Sequence, residues 1–155
     1  MRKIFISSDH AGYLLKKKIV DFLVKKKFNF KDLGPFSTKS VDYPYYAHKL
    51  SKNVKKNKNY VGILICGSGT GMSIAANKHR NIRAAQCFSL KSTKLSRLHN
   101  DANVITLGSR LISKNEAMKF ISAFLNTKFE GGRHLRRVKK TVSYTHLRAH
   151  ETHEN

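Results

Sequence analysis

The fold is decided by the stretch Val61-Gly-Ile-Leu-Ile-Cys66-Gly-Ser-Gly-Thr-Gly71, which is followed by Met72-Ser-Ile-Ala-Ala-Asn-Lys78. The apolar run predicts a buried strand, the glycines predict a tight turn, and the residues after them predict a helix. Such a turn gathers backbone N–H groups around an anion at the positive end of a helix. Cys66 lies where the strand ends, and a helix end of this kind favours a thiolate. The stretch therefore combines an anion cradle with a candidate base or nucleophile.

The segments on either side of this stretch alternate between strand and helix patterns. Short apolar runs predict strands at Lys3–Ser7, Phe28–Leu33, Tyr60–Ile65, Arg83–Cys87 and Asn103–Leu107. Amphipathic patterns predict helices at Ala11–Lys27, Tyr43–Lys58, Gly71–His79, Leu90–His99, Lys114–Asn126 and Arg133–Thr141. This alternation predicts an α/β fold, a three-layer Rossmann-like arrangement around a five-stranded parallel sheet. Ligands of such folds bind outside the carboxyl ends of the strands.

Length and composition indicate one domain, residues 1–141, without a membrane or secretory segment. A chain of 155 residues, 40% of them hydrophobic, can bury one ordinary core. No apolar run approaches the roughly 20 residues of a membrane helix. The polar residues 7–9 interrupt the N-terminal apolar run too early for a signal peptide. Cys66 and Cys87 are too few for a disulfide framework, which favours a cytoplasmic location.

Residues 142–155 differ in character from the rest of the chain. They hold His146, His150 and His153 but few residues suited to a core. The stretch resembles translated adapter sequence joined in place of a native end, so we expect a non-native or disordered tail. Its histidines mimic a metal site, but a foreign tail explains them better, and no function is assigned to them.

The net charge is extreme, because the chain has 31 Lys and Arg residues but only 9 Asp and Glu residues, which gives a formal charge of +22. Such a charge raises the alternative of a basic module that binds nucleic acid. The lysine clusters, among them Lys16–Lys18 and Lys25–Lys27, lie within or at the ends of amphipathic helix patterns, as on solvated faces. The tyrosines within residues 43–46 match no known RNA-binding motif. We therefore expect no nucleic-acid partner, and expect the charge to draw anionic substrates toward a cleft.

The glycine turn lacks the spacing of the common nucleotide-binding loops. A dinucleotide fold requires G-x-G-x-x-G and an acidic residue about 20 positions later, and the Walker loop requires Gly-Lys-Ser or Gly-Lys-Thr. The glycines here are Gly67, Gly69 and Gly71, and no Asp or Glu lies between Tyr43 and Asn100. A small anion, or an oxyanion formed during a reaction, is the better guest, and a bare turn without a ligand is the alternative.

Further candidate site residues lie at strand ends and near the C-terminus. Asp9 and His10 follow the first strand, where they can meet sugar hydroxyls and a phosphate, although Asp9 is equally suited to cap the next helix. Arg110 follows the fifth strand. Arg133 and Arg137 are four positions apart, so they share one helix face that suits a phosphate, unless it is a solvated basic face.

Several segments together resemble a known family. They are Ser8-Asp-His-Ala-Gly12, Asp42-Tyr-Pro44, Ile65-Cys-Gly-Ser-Gly-Thr-Gly71, Ile74-Ala-Ala-Asn-Lys78, Ser96-Arg-Leu-His-Asn-Asp101, Gly108-Ser-Arg110 and Glu130-Gly-Gly-Arg-His-Leu-Arg-Arg-Val138. In type and order they are similar to the ribose-5-phosphate isomerases of the B type, from about residue 2 to residue 140. The resemblance implies interconversion of ribose 5-phosphate and ribulose 5-phosphate, a step of the pentose phosphate pathway, without a metal or other cofactor.

The resemblance also implies a role for each candidate residue. His99 helps to open the furanose ring, and Cys66 moves the proton between C1 and C2 of the sugar. The turn stabilises the enediolate, as an oxyanion hole does, through Gly67, Ser68, Gly69, Thr70 and Gly71. Asp9 orients hydroxyl groups, and Asn100 binds near the reacting end. The phosphate is held by His10, Arg110, Arg133 and Arg137.

A subclass, an assembly and alternative substrates follow from the same resemblance. One subclass uses a glutamate just after the turn as the base; Met72 stands there and Cys66 is present, as in the cysteine subclass. The family implies a homodimer with active sites at the subunit interface, sometimes paired into a tetramer. The related galactose-6-phosphate isomerases share the turn but lack two features present here, His99-Asn100 and the segment Gly131–Arg137. Allose 6-phosphate stays open as a second substrate.

Overall fold

The computed structural model describes the backbone of residues 2–154 and the side chains of residues 2–143. Within this range the strands are β1 (Lys3–Ser8), β2 (Phe30–Asp32), β3 (Tyr60–Cys66), β4 (Ala84–Gln86) and β5 (Val104–Gly108). The helices are α1 (Tyr13–Lys25), α2 (Tyr43–Val54), α3 (Thr70–Ala76), α4 (Leu90–Leu98), α5 (Lys114–Asn126) and α6 (Arg133–Glu154). Among the described residues, no helix is both long enough and apolar enough to cross a membrane.

The strands form one parallel sheet in the order β2-β1-β3-β5-β4. The chain therefore places β2 on one side of β1 and the later strands, β3, β5 and β4, on the other side. The two strands on either side of this change of direction end together, since Ser8 pairs with Ile65. Such a switch point is where ligands bind in open α/β sheets. The predicted α/β fold with a five-stranded parallel sheet is confirmed.

Helices cover both faces of the sheet, which explains the unbroken apolar run in β3. Ile63 packs into the core layer beneath α1 and α5, and the next residue, Leu64, packs into the opposite layer beneath α2 and α3. Both side chains have no measurable exposure to solvent. A strand buried on both faces requires apolar residues at consecutive positions rather than alternate ones. The central strand is thereby fixed, and with it the position of Cys66 at its end.

Several predicted element ends need correction. Helix α5 has the predicted bounds, and Ser113 caps it, because its hydroxyl accepts a hydrogen bond of 3.1 Å from the backbone N–H of Glu116. Helix α1 begins at Tyr13 rather than Ala11, because the chain first makes a turn after Asp9. Helix α2 ends at Val54, and the polar residues after it leave the helix.

The C-terminal helix also differs from its predicted bounds. Helix α6 continues past Thr141 to Glu154, whereas the sequence pattern predicted an end at Thr141. The side chains of His146, His150 and His153 lie outside the described side chains. That residues 142–155 form a non-native or disordered tail stays a prediction.

Candidate active site

The glycine turn after β3 wraps around the side chain of Cys66. Gly69 adopts φ +81°, a left-handed conformation that favours glycine, and immediately precedes α3. Its backbone N–H donates a hydrogen bond of 3.1 Å to the Sγ atom of Cys66. The Ser68 hydroxyl accepts a bond of 3.2 Å from the backbone N–H of Thr70. The turn thus holds the thiol in place and lines its surroundings with polar groups.

Cys87, by contrast, has the surroundings of a structural cysteine. It is 1% exposed, and burial raises the pKa of its thiol. Neither Cys87 nor Cys66 is joined in a disulfide. A buried thiol with a raised pKa is unreactive, so Cys87, which directly follows β4, is a small core residue.

Neighbouring groups approach the backbone of two glycines closely. A Cβ atom at Gly108, the last residue of β5, would lie 2.6 Å from the carbonyl oxygen of Ser68. A Cβ atom at Gly71 would lie 2.8 Å from the ring of Tyr43, the first residue of α2. At Gly108 the obstacle is backbone, which cannot move aside cheaply, so that position requires glycine, whereas a Cβ at Gly71 would force the Tyr43 ring to shift.

Neighbouring strands fix the turn through hydrogen bonds. The backbone N–H groups of Ser109 and Arg110 donate to the carbonyl oxygens of Cys66 and Gly67, at 2.8 and 3.0 Å. From β4, the amide nitrogen of Gln86 donates to the Ser68 carbonyl oxygen at 2.9 Å and to the Thr70 hydroxyl at 2.7 Å. The turn is therefore held from the side of both β4 and β5, which keeps its N–H groups in one arrangement.

Asp9 and His10 lie at the adjacent end of β1. Asp9 is 8% exposed, and its Oδ1 atom accepts a hydrogen bond of 3.0 Å from the backbone N–H of Gly12. Gly12, not Asp9, is the cap residue of α1, so the aspartate closes the turn before the helix. His10 is exposed, and its Nδ1 atom accepts a bond of 3.1 Å from the N–H of Val41.

A cavity of about 310 Å³ joins several of the predicted residues at the switch point. It is lined by Asp9, Tyr43, Cys66, Gly67, Ser68, Gly71, Arg110 and Leu111. The guanidinium of Arg110 lies over the backbone of Gly67, where it adds positive charge beside the N–H groups of the turn. The cavity combines a thiol, a carboxylate, backbone amides and a guanidinium, which suits an anionic, hydroxylated ligand.

His99 and Asn100 lie in a second cluster, at the C-terminal end of α4. His99 is the cap residue of the helix, with its N–H bonded to the Leu95 carbonyl oxygen at 2.9 Å. Arg97 holds the turn that follows, because its guanidinium donates to Asp101 Oδ1 at 2.9 Å and to the Ala102 carbonyl oxygen. The ring of His99 stacks on His134.

This second cluster lines a cavity of its own, of about 710 Å³. His99, Asn100 and Arg137 are the predicted site residues along it, and His79 and His134 also line it. Arg133, the first residue of α6, is exposed. The two cavities share no lining residue. One chain therefore brings Cys66 together with Asp9 and Arg110, but brings His99 together with Asn100 and Arg137 elsewhere.

Three residues in or beside these clusters received no role in the sequence analysis. Tyr43 had a signal, because it stands between Asp42 and Pro44 in a segment already singled out. His134 lies between Arg133 and Leu135 in another such segment, in which only the arginines were predicted to bind a ligand. Gln86 gave no signal, since its contact with the turn depends on how β4 pairs with β5.

Comparison with known proteins places the chain among sugar-phosphate isomerases. The family model described as Ribose/Galactose Isomerase matches residues 4–141. The chain is 46% identical, over 143 residues, to the probable ribose-5-phosphate isomerase B of Mycoplasma genitalium, covering 91% of this chain and 94% of that protein. It is 44% identical, over 139 residues, to ribose-5-phosphate isomerase B of Escherichia coli, covering 90% and 93%.

Solved structures show the same relationship. Ribose-5-phosphate isomerase B from Mycoplasma genitalium, with bound ribulose-5-phosphate, matches with a TM-score of 0.89 and 46% identity, covering 92% of this chain and 95% of that chain. The ribose 5-phosphate isomerase from Thermotoga maritima matches with a TM-score of 0.89 and 46% identity, covering 92% and 98%. The resemblance inferred from the sequence segments is confirmed.

Proposed function

Because the chain belongs to the ribose/galactose isomerase family over residues 4–141, we propose that it interconverts D-ribose 5-phosphate and D-ribulose 5-phosphate. The observation that carries this proposal is the buried thiol of Cys66, held by the turn at the switch point of the sheet. An aldose–ketose isomerase needs a base beside preorganised donors that stabilise an enediolate. The reaction transfers protons within one molecule, so it needs neither a metal nor a redox cofactor.

The chemistry assigns a task to each group in the Cys66 cavity. The Cys66 thiolate removes the proton from C2 of the open-chain aldose and returns a proton at C1 of the resulting enediolate, while the hydroxyl proton passes from O2 to O1, which yields the ketose. The turn of Gly67, Ser68, Gly69, Thr70 and Gly71 stabilises the negative charge of the enediolate, while the N–H of Gly69 stays bonded to the Cys66 sulfur and that of Thr70 to the Ser68 hydroxyl. Asp9 orients the sugar hydroxyls. Arg110 and His10 bind the phosphate from the same chain.

The His99 cluster supplies the rest of the site, from a second copy of the chain. His99 opens the furanose, Asn100 binds near the reacting end, and Arg133 and Arg137 bind the phosphate. The separation of the two cavities in one chain supports this arrangement, since neither holds all of these groups. Leu111 lines the Cys66 cavity and is 58% exposed, which suits a covered surface. We therefore propose a homodimer with two shared sites, and dimers that can pair.

The domain, compartment and pathway complete the proposal. The isomerase domain spans residues 1–141, and the end of the family match at residue 141 supports leaving residues 142–155 outside it. Cys66 and Cys87 are both free thiols, which suits the reducing cytoplasm. The proposed substrates belong to the pentose phosphate pathway. We propose no role in binding nucleic acid or membrane.

The substrate is tested by measuring turnover of ribose 5-phosphate with a chelator present. Galactose 6-phosphate and allose 6-phosphate are assayed in parallel, because the family includes galactose isomerases. We expect turnover of ribose 5-phosphate to persist with chelator and to exceed that of both hexose phosphates. A preference for galactose 6-phosphate would contradict the assignment. Thermal protection by low millimolar ribose 5-phosphate would indicate an enzyme. Salt-sensitive retention of RNA would instead indicate a basic binding module.

A further inference from the structure

The His99 ring lies face to face with a second histidine ring. The ring centroids of His99 and His134 are 4.2 Å apart, and the ring planes differ by 15°. His134 is 5% exposed, and its Nε2 atom has no hydrogen-bond partner among the described residues. The nearest carboxylate oxygen, on Glu130, is 3.9 Å away. Buried polar atoms are almost always paired, so an unpaired one at this position calls for an explanation.

A metal site does not explain the cluster. His99, Glu130 and His134 each offer a ligand atom, and these atoms lie within 4.8 Å of one another. A bound metal ion lies near the plane of each imidazole that coordinates it, about 2 Å from the nitrogen. Rings that are nearly parallel at this separation cannot both hold one ion in their planes. The positive side chains of Arg133 and Arg137, which act electrostatically on His134, oppose a cation further.

The backbone holds the two histidines against each other. The N–H of Glu130 donates to the carbonyl oxygen of Leu98, the residue before His99, at 3.1 Å. Gly131 and Gly132 then turn the chain with φ values of +73° and +55°, and α6 begins at Arg133. This link fixes the start of α6 to the end of α4. The stack is therefore built into the fold rather than formed by two free side chains.

The surroundings of His134 also disfavour its charged form. Burial is the main cause that lowers the pKa of His134, and the adjacent His99, Arg133 and Arg137 lower it further, while Glu130 opposes them. Opening a furanose breaks the C1–O4 bond and moves a proton from the C1 hydroxyl to O4, leaving an aldehyde at C1. A ring that relays this proton tolerates a neutral neighbour better than a charged one.

We propose that His134 is a positioning residue for ring opening, which sets the plane of the His99 imidazole by stacking on it. The inference rests on the proposed function, since it assigns His99 to the furanose. Ring opening needs a nitrogen aimed at the C1 hydroxyl and O4, and misplacement by about 1 Å can lower a rate about a hundredfold. His134 also lies between Arg133 and Arg137, so the stack fixes the ring-opening group and the phosphate ligands relative to each other.

Two substitutions of similar volume test the stack. His134→Phe keeps a planar ring, whereas His134→Leu fills the space without one. We expect His134→Leu to lower kcat for saturating ribose 5-phosphate by about tenfold to a hundredfold. The kcat for ribulose 5-phosphate, which has no furanose to open, should change by less than about threefold, and His134→Phe should stay within about threefold in both directions. Leu135→Ala, at an exposed neighbour on α6, is the matched control.

A readout independent of turnover is the NMR signal of the His99 ring. Stacking shifts that signal through the ring current of its neighbour, so the shift should persist in His134→Phe and vanish in His134→Leu. Equal loss of kcat in both directions for His134→Leu, or equal damage by Phe and Leu in folded proteins, would overturn the proposal. If the wild-type protein turns over no ribose 5-phosphate, the proposed function itself fails, which is a distinguishable result.

Discussion

The backbone N–H of Gly69 points at the sulfur of Cys66, at a donor–acceptor distance of 3.1 Å. The bond is possible because Gly69 has φ +81° and so turns its amide back toward the end of β3. Charge on the sulfur would strengthen this hydrogen bond, since bonds to ionised acceptors are stronger than neutral ones. The same turn that is proposed to stabilise the enediolate thus also supports the proposed base.

Replacement of Cys66 tests its role as the base. We expect Cys66→Ala to lower kcat on the order of hundreds-fold or more, the scale of general acid–base catalysis, while ribose 5-phosphate still binds. Steady-state kinetics and isothermal titration with ribose 5-phosphate measure the two effects. Cys87→Ala is the control, and it should have mild effects because Cys87 is a core residue. Activity within about threefold of wild type would remove Cys66 from the mechanism.

Replacement of His99 separates ring opening from isomerisation. His99→Asn should lower kcat for saturating ribose 5-phosphate more than kcat for saturating ribulose 5-phosphate, because only the first substrate must be opened. Initial rates in both directions measure this split. Lys94→Gln, an exposed residue on the same helix, should leave both rates unchanged. Equal loss of kcat in both directions, in a protein of unchanged thermal stability, would contradict the assignment of His99.

The sequence predicted the sheet and the turn because both depend on local pattern. An apolar run buried on two faces and a closely spaced set of glycines leave few other structures open. The separation of His99 from Cys66 was not predictable in this way, since it depends on where α4 and α6 dock. The role of Gln86 was not predictable for the same reason, because its hydrogen bonds to the turn join residues that are distant in sequence. Contacts between elements distant in sequence leave no local signal.

Gly108 offers a test of how the turn is held. A Cβ atom there would lie 2.6 Å from the Ser68 carbonyl oxygen, and backbone atoms cannot move aside cheaply. Gly108→Ala should therefore displace the turn and lower kcat by about tenfold or more. Gly62→Ala is the matched control in the same sheet, since its Cβ would meet the side-chain tip of Leu50 at 2.5 Å. It should lower the melting temperature with little change in kcat, and equal kcat loss in both variants would refute this account.

The lowered pKa values of two histidines predict how the free energy of unfolding depends on pH. Burial is the main cause that lowers the pKa of His79 and of His134 below the ordinary value near 6.5. The unfolded chain therefore binds protons that the folded chain does not, so stability is full above about pH 6.5 and declines below it. Urea unfolding between pH 7.5 and 5.5 measures the decline, which should be shallower in His79→Gln than in wild type. Lys78→Gln, at an exposed neighbour, should leave the slope unchanged, and a flat wild-type profile would contradict the prediction.

The two separate cavities make the shared site testable by mixing inactive variants. In a dimer with shared sites, one site takes Cys66 from the first chain and Arg137 from the second, and the other site takes the reverse. Mixing Cys66→Ala with Arg137→Ala should then restore one intact site in half of the dimers, about a quarter of wild-type activity after subunit exchange. Mixing His99→Asn with Arg137→Ala should restore nothing, because both residues line the same cavity of one chain. Each mixture is assayed after mild dissociation and reassociation, with light scattering to report the assembly. Recovery in the second mixture, no recovery in the first, or a fully active monomer would each refute the shared site.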